Sequence, residues 1–246
     1  VNWLAKVVSP PEDRAVAPGF SPSSAGSRTF TLSPANGNAP SASHSVRQSN
    51  GLKEFLWLLE DVNDGRLLDL GAASQSTVSF FIQRGFRRVS AEDLLGGWRE
   101  FQLVQGSGSD GATDAADPVA RAAWHSERAA CFLDGALQYP QEEFHGILAW
   151  DLFEYLEDEL LAQVVSRLYR SLRPGGVLLA IFHSRPPESS YTYRILDGGI
   201  EMLDAPRVQL SRRAFQNREL LKLFSEYRSS KTFVCRDHIR ESLILK

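Results

Sequence analysis

The sequence predicts an α/β fold: a mostly parallel sheet of about seven strands, helices on both faces, and an antiparallel strand pair at the C-terminal end. Three observations carry this expectation. Apolar runs of strand length alternate with segments of helical period from residue 65 onward, and strand, helix and strand recur within about 30 residues, the span of a βαβ unit with parallel neighbours. The runs at residues 146–150 and 177–182 are continuously apolar, as in strands buried on both faces. The final segment, "NRELLKLFSEYRSSKTFVCRDHIRESLILK", reads as a helix and two strands joined by a short connection, which makes that pair antiparallel.

The chain divides at about residue 50. Residues 1–49 hold six of the twelve prolines (Pro10, Pro11, Pro18, Pro22, Pro34, Pro40) and ten serines. Such a segment has little apolar surface to set against the entropy of ordering it, so a flexible tail is expected there and one domain over residues 50–246. In that domain "NGLKEFLWLLEDVNDG" places Leu52, Phe55, Leu56 and Leu59 on one helical face, ended by Asn63-Asp64-Gly65. "RLLDLG" reads as the first buried strand. "SQSTVSFFIQRGF" follows as a helix stopped by Gly85, and "RRVSAEDL" is the second strand.

Residues 96–118 are rich in Gly, Ser and Asp, and a loop of functional length is expected there, with a helix from Pro118 to about Arg128. "ACFLDGAL" reads as a third strand and "FHGILAW" as a fourth. "DELLAQVVSRLYRSL" is an amphipathic helix with Leu160, Leu161, Val164, Val165 and Leu168 on one face, and "VLLAIF" is a fifth strand after an Arg173-Pro174-Gly175-Gly176 turn.

Composition narrows the function classes. Twenty-seven Lys and Arg against 30 Asp and Glu give a net charge of −3, which argues against a protein held to nucleic acid by charge. No run approaches the roughly 18 apolar residues of a membrane span. Cys131 and Cys235 form no CxxC, so no structural metal is expected and a reduced, cytoplasmic setting is the default. Cys131 reads as buried core, and His125 and His145 as surface residues.

In an open parallel sheet, ligands bind beyond the carboxyl ends of the strands. Those ends carry Asp69, Gly71 and Ala73, then Glu92 and Asp93, then Asp134, then Trp150 and Asp151, then His183. A small-residue turn lets backbone N–H groups approach a ligand, and an acid about 24 residues later at the end of the second strand can accept from both hydroxyls of a ribose.

At these residues "LLDLGAASQSTVSFFIQRGFRRVSAEDL" resembles the first two strands of class I S-adenosylmethionine (SAM) dependent methyltransferases, whose sheet is Rossmann-like. "FHGILAWDLFEYL" is similar to their fourth strand, "LYRSLRPGGVLLAIF" to the helix, turn and fifth strand, and the C-terminal segment to their last helix and strand pair. The resemblance covers residues 50–246. It implies SAM as cofactor, with Asp69, Gly71 and Ala73 in the loop under its methionine part. Asp93 would be the ribose acid, Leu94 would flank the adenine, Asp134 would meet the adenine amine, and Trp150 would lie near the adenine or the sulfonium. Asp151 and His183 are the candidate general bases for a small-molecule or protein acceptor. Residues 96–118 and 184–214 are candidate acceptor lids, with Tyr191, Tyr193 and Arg194 as contacts. Two departures stand out. The family's Asp-x-Gly-x-Gly-x-Gly loop has Ala73 and Gln75 at its last two glycines, and the usual Phe-Asp of strand four is Phe144-His145. "AWDL" replaces the "NPPY"-type tetrapeptide of nucleic-acid base methyltransferases. The altered loop also leaves open a non-catalytic, methyltransferase-like binding module. A nicotinamide-binding oxidoreductase would want Gly-x-Gly-x-x-Gly where this chain reads "GAASQS".

Overall fold

The structure is a computed structural model. It describes residues 6–7, 45–106 and 117–246, apart from residues 186, 188, 198, 206–211 and 236. Helix α1 (Asn50–Leu58) starts where the Ser49 hydroxyl accepts from the Leu52 amide at 2.8 Å. Its buried face is Leu52 and Phe55, continued by Leu59, while Trp57 is exposed. Strand β3 (Gly65–Asp69), helix α2 (Gln75–Ile82) and strand β4 (Phe86–Ala91) form the first βαβ unit, with β3 and β4 paired in parallel. Strand β5 (Phe144–Trp150) lies on the other side of β3, also parallel. A 3₁₀ turn (Leu152–Tyr155) leads to helix α5 (Asp158–Ser171), which runs straight into strand β6 (Leu172–His183), parallel to β5. The expected Arg-Pro-Gly-Gly turn is therefore drawn into the start of β6, where Gly175 has φ +77° and donates its amide to Lys246.

The C-terminal reading holds. Helix α6 (Asn217–Leu223) is followed by β9 (Ser229–Val234) and β10 (Ile239–Leu245), and β10 inserts antiparallel between β6 and β9. The main sheet has the order β1-β4-β3-β5-β6-β10-β9. Its first member, β1 (Lys6–Val7), is two residues long and pairs antiparallel to β4. Among the described residues, this sheet thus has six full strands where about seven were expected.

The difference is the expected third strand. Residues 118–133 form one helix, α4 (Pro118–Leu133), capped by the Asp117 carboxylate on the Val119 amide at 3.0 Å. Ala129, Phe132 and Leu133 fall at helical spacing and are buried, so the helix runs on through "ACFL". Cys131 lies on the opposite face and is exposed, not core. The expected loop at 96–118 is also partly helical. Helix α3 (Leu94–Gly106) buries Trp98, whose ring lies 5.5 Å from that of Phe101 and 5.1 Å from that of Phe132. Residues 107–116 of that expected loop lie outside the described residues.

The expected insert after β6 folds into a hairpin of β7 (Ser190–Leu196) and β8 (Gly199–Ala205), joined by β2 (Ser45–Arg47) into a three-stranded antiparallel sheet. Ser45 to Arg47, expected in the tail, pair with β8; residues 1–5 and 8–44 of the tail lie outside the described residues. The hairpin docks on α2, where the Ile195 amide donates to Thr77 Oγ1 at 3.0 Å. Two cores result. One sits under α3 to α6, and the other lies between the sheet, α1, α2 and the hairpin.

Candidate functional site

The carboxyl ends of β3, β4 and β5 open into one cavity of about 210 Å³, bordered by Gly71, Asp93, Trp150, Asp151, Tyr191 and Tyr193. It is placed by the crossover chain path. Strand β3 ends at Asp69 in the middle of the sheet, β4 ends beside it at Ala91, and β5 ends on the other flank at Trp150. The hairpin β7–β8 forms the remaining wall. A larger recess of about 500 Å³, lined by Trp98, the start of α4, the 3₁₀ turn after β5 and the start of α5, shares no residue with this cavity.

Asp69 is 2% exposed. Its Oδ1 accepts from the Gly71 amide at 3.0 Å and from Trp150 Nε1 at 2.6 Å. Burial pushes its carboxyl up to about 6; the bonds from Trp150 and Gly71 oppose the rise, and the nearby Asp93 adds to it. Trp150 has φ +49°, an uncommon backbone for so large a side chain. That conformation coincides with a register shift between β5 and β6 at residues 148–150. It turns the indole across the Gly71 turn, where a Cβ on Gly71 would stand 2.8 Å from Trp150 Cδ1. The same ring stacks on Tyr193, with centroids 5.3 Å apart and planes 5° from parallel.

The other expected cofactor residues divide. Asp93 is exposed at the cavity and uses Oδ1 to cap α3 through the Gly96 amide at 2.9 Å. Its neighbour Glu92 is engaged elsewhere, accepting from the Leu137 amide and the Tyr139 hydroxyl. Leu94 is buried in the core and Ala73 is exposed, and it is Ala72 that borders the cavity. Asp134 is not brought to the site. With no third strand to end there, it caps the C-terminus of α4, its side chain 79% exposed and 3.6 Å from Arg167.

Asp151 and His183 meet in a second, buried group just behind the cavity, together with two residues that the sequence reading missed. Asp151 Oδ2 accepts from Tyr193 OH at 3.0 Å and from Arg212 Nη2 at 2.8 Å. Glu154 lies three residues beyond Asp151 on the 3₁₀ turn, where residues i and i+3 eclipse. Its Oε2 accepts from Arg212 Nε at 2.8 Å, and its Oε1 accepts from the His183 amide. His183 Nδ1 lies 2.6 Å from Arg212 Nη2 and 3.0 Å from Glu154 Oε2, while its Nε2 is buried without a partner among the described residues. Burial raises the Asp151 carboxyl to about 6, against the pull of Arg212 and His183. Tyr193 is raised well above the usual phenol range by burial and by Asp151. Asp151 borders the cavity; His183 does not. Tyr191 borders it too, while Arg194 points its charge at Glu201 within the hairpin.

No family model and no curated protein matches this chain. Among solved structures, it is similar to an S-adenosylmethionine-dependent methyltransferase from Mesorhizobium loti, at 14% identity and a TM-score of 0.46, over 79% of this chain and 96% of that one. It is similar also to 1,6-didemethyltoxoflavin-N1-methyltransferase from Burkholderia thailandensis, solved with 1,6-didemethyltoxoflavin and S-adenosylhomocysteine. There the identity is 16% and the TM-score 0.39, over 80% of this chain and 78% of that one. A TehB-like SAM-dependent methyltransferase from Corynebacterium glutamicum aligns at 13% identity and a TM-score of 0.41, over 80% and 87%. No helix among the described residues is long and apolar enough to cross a membrane. The strand order β4-β3-β5-β6-β10-β9, the reversed last strand and the glycine turn at the end of β3 give the chain a Rossmann-like, mostly parallel α/β sheet that ends in an antiparallel strand pair.

Proposed function

We propose that this chain transfers a methyl group from SAM to an oxygen or nitrogen of a small-molecule or protein acceptor. The observation that carries the reading is the single cavity in which the Gly71 turn, Asp93, Trp150 and Asp151 meet at the carboxyl ends of adjacent strands. The donor set suits the cofactor: a close-approach turn, a solvent-facing carboxylate for ribose hydroxyls, and the Tyr191 ring at the cavity for a base. The space suits only part of it, because 210 Å³ is below the roughly 300 Å³ at which pockets for ligands of that size begin. Room for the rest lies where the indole of Trp150 covers Gly71.

Bound SAM supplies a methyl carbon already activated by its sulfonium, so the hard chemistry is the cofactor's. The chain's own part is to align the acceptor and exclude water. Asp93 holds the ribose. Asp151, poised at about 6, takes a proton from an acceptor that arrives protonated. Tyr193 and Arg212 fix its carboxylate through Oδ2.

A second reading, a methyltransferase-like module that binds without catalysis, is favoured by one observation: Trp150 lies over the turn that the cofactor needs. Calorimetric titration with SAM and with S-adenosylhomocysteine, on the wild type and on Asp93→Ala, tests the proposal. Micromolar binding that the variant loses supports it, and an acceptor screen then separates enzyme from module. Absence of binding by the wild type and by a Trp150→Ala variant at millimolar ligand would sink both readings of the cavity as a SAM site.

A further inference from the structure

The three ligand-type atoms Asp151 Oδ2, Glu154 Oε2 and His183 Nδ1 lie within 4.8 Å of one another, and all three side chains are buried. Two carboxylates and one imidazole in such a group are a donor set for a divalent ion such as Zn²⁺ or Mn²⁺. The place that an ion would take is already filled. Arg212 Nη2 stands 2.8 Å from Asp151 Oδ2, 2.7 Å from Glu154 Oε2 and 2.6 Å from His183 Nδ1. One guanidinium nitrogen thus touches every member of the set. A guanidinium donates and never accepts, so Nδ1 accepts where it bonds Arg212, whereas a bond to Glu154 Oε2 at 3.0 Å would need Nδ1 to donate. The rest of the side chain is also held: Nε bonds Glu154, Nη1 bonds the Tyr155 hydroxyl at 2.8 Å, and the Arg213 amide beside it donates to the Glu154 carbonyl at 2.9 Å.

We propose that Arg212 is the resident cation of a metal-type seat and acts as a positioning residue: its Nη2 takes the place of a divalent ion, fixes Asp151, Glu154 and His183 around it, and keeps metal out. The inference concerns this seat alone and stands whichever ligand the neighbouring cavity takes. Its chemical consequence is specific. Metal bonds to nitrogen and oxygen run about 2.0–2.2 Å, so the three donors need to close in by only about half an ångström once the guanidinium is gone. Removing Arg212 should therefore convert a structural ion cluster into a transition-metal site.

The test is titration of Arg212→Ala and Arg212→Gln with Co²⁺, followed by the visible absorption of bound cobalt, and with Mn²⁺, followed by calorimetry. Wild type is the control for metal held by its other histidines. At least tenfold tighter binding than wild type is expected in both variants, with a cobalt spectrum that wild type does not give. The gain should vanish in Arg212→Gln/Glu154→Gln. Arg212→Ala leaves two buried carboxylates facing each other, and should regain melting temperature when Mn²⁺ is added. Arg212→Gln keeps hydrogen bonding to the carboxylates and provides the same reading if the alanine variant does not fold. Equal metal binding by wild type, no gain in a folded variant, or a gain that survives loss of Glu154 would each overturn the proposal.

Discussion

Trp150 Nε1 donates to Asp69 Oδ1 at 2.6 Å, so the end of β5 is tied to the end of β3 across the mouth of the cavity. The bond joins a buried acid to a strained residue, and each end has a measurable consequence.

The acid end sets a pH dependence. Burial lifts Asp69 from 3.8 to about 6 in the folded chain. Between those values the folded state binds a proton that the unfolded state has released, so stability falls as pH rises through the window and stays lower above it. Asp69→Asn keeps an oxygen for the indole and has no charge to bury. At pH 7 to 8 the variant should be more stable than wild type by about 1–3 kcal/mol, and the gap should close below about pH 4. Urea unfolding across that range is the measurement. Asp151 is raised to about 6 as well and keeps part of the slope in the variant. A gap that widens toward low pH would contradict this account.

The indole end controls space. Trp150→Ala removes a side chain that is 3% exposed, and the stability cost should be about 3–5 kcal/mol, reduced by whatever strain φ +49° imposes. The vacated volume joins the cavity over Gly71. SAM affinity should rise by about tenfold over wild type, or 1.4 kcal/mol. Calorimetry on the folded variant decides. Weaker binding would mean that Trp150 is a wall of the site and not its obstruction.

What the sequence made legible follows from the reach of its signals. The βαβ unit, the α5–β6 passage and the closing strand pair were readable because their apolar periods are long and their breakers local. An acid at the end of β4 could be read from spacing, and the choice of Asp93 over Glu92 rested on the family resemblance. Asp134 could not be placed, because its role depended on whether 130–137 forms a strand or ends a helix, and an apolar run that short fits both. Phe132 and Leu133 pack against Trp98 and its neighbours, and that tertiary contact decides for the helix. Glu154 had a faint local signal, its three-residue spacing from Asp151. Arg212 had none: its partners lie 29 to 61 residues away in sequence and meet it only in the fold.

The small sheet rests on one glycine. Gly199 has φ +136°, and a Cβ there would stand 2.1 Å from the Arg47 carbonyl oxygen, a backbone atom that cannot turn aside. Gly199→Ala should therefore detach β2 from the hairpin and cost about 3 kcal/mol, more than the strain of the backbone alone. Hydrogen exchange at the Arg47 and Ile200 amides should speed up with the loss. Unchanged protection at those amides would show that β2 is not held in this register.

Asp151 separates binding from chemistry. It borders the cavity, and its carboxylate is set by Tyr193 and Arg212, away from Asp93 and the Gly71 turn. Asp151→Asn removes the carboxylate that meets the cavity beside Tyr193 while leaving a near-isosteric amide, and Glu154 still pairs with Arg212. Once an acceptor is in hand, transfer should fall by about 10²–10⁴-fold, the usual worth of a positioned base, with SAM affinity changed by no more than about threefold, which is under 1 kcal/mol. The wild-type rate should climb as pH rises through about 6, where the carboxyl ionises, and the variant's residual rate should lack that step. An acceptor that reacts as an already neutral amine or an ionised oxygen needs no base. In that case Asp151→Asn would leave the rate intact, and the carboxylate's place would be to orient Tyr193 against the Trp150 ring.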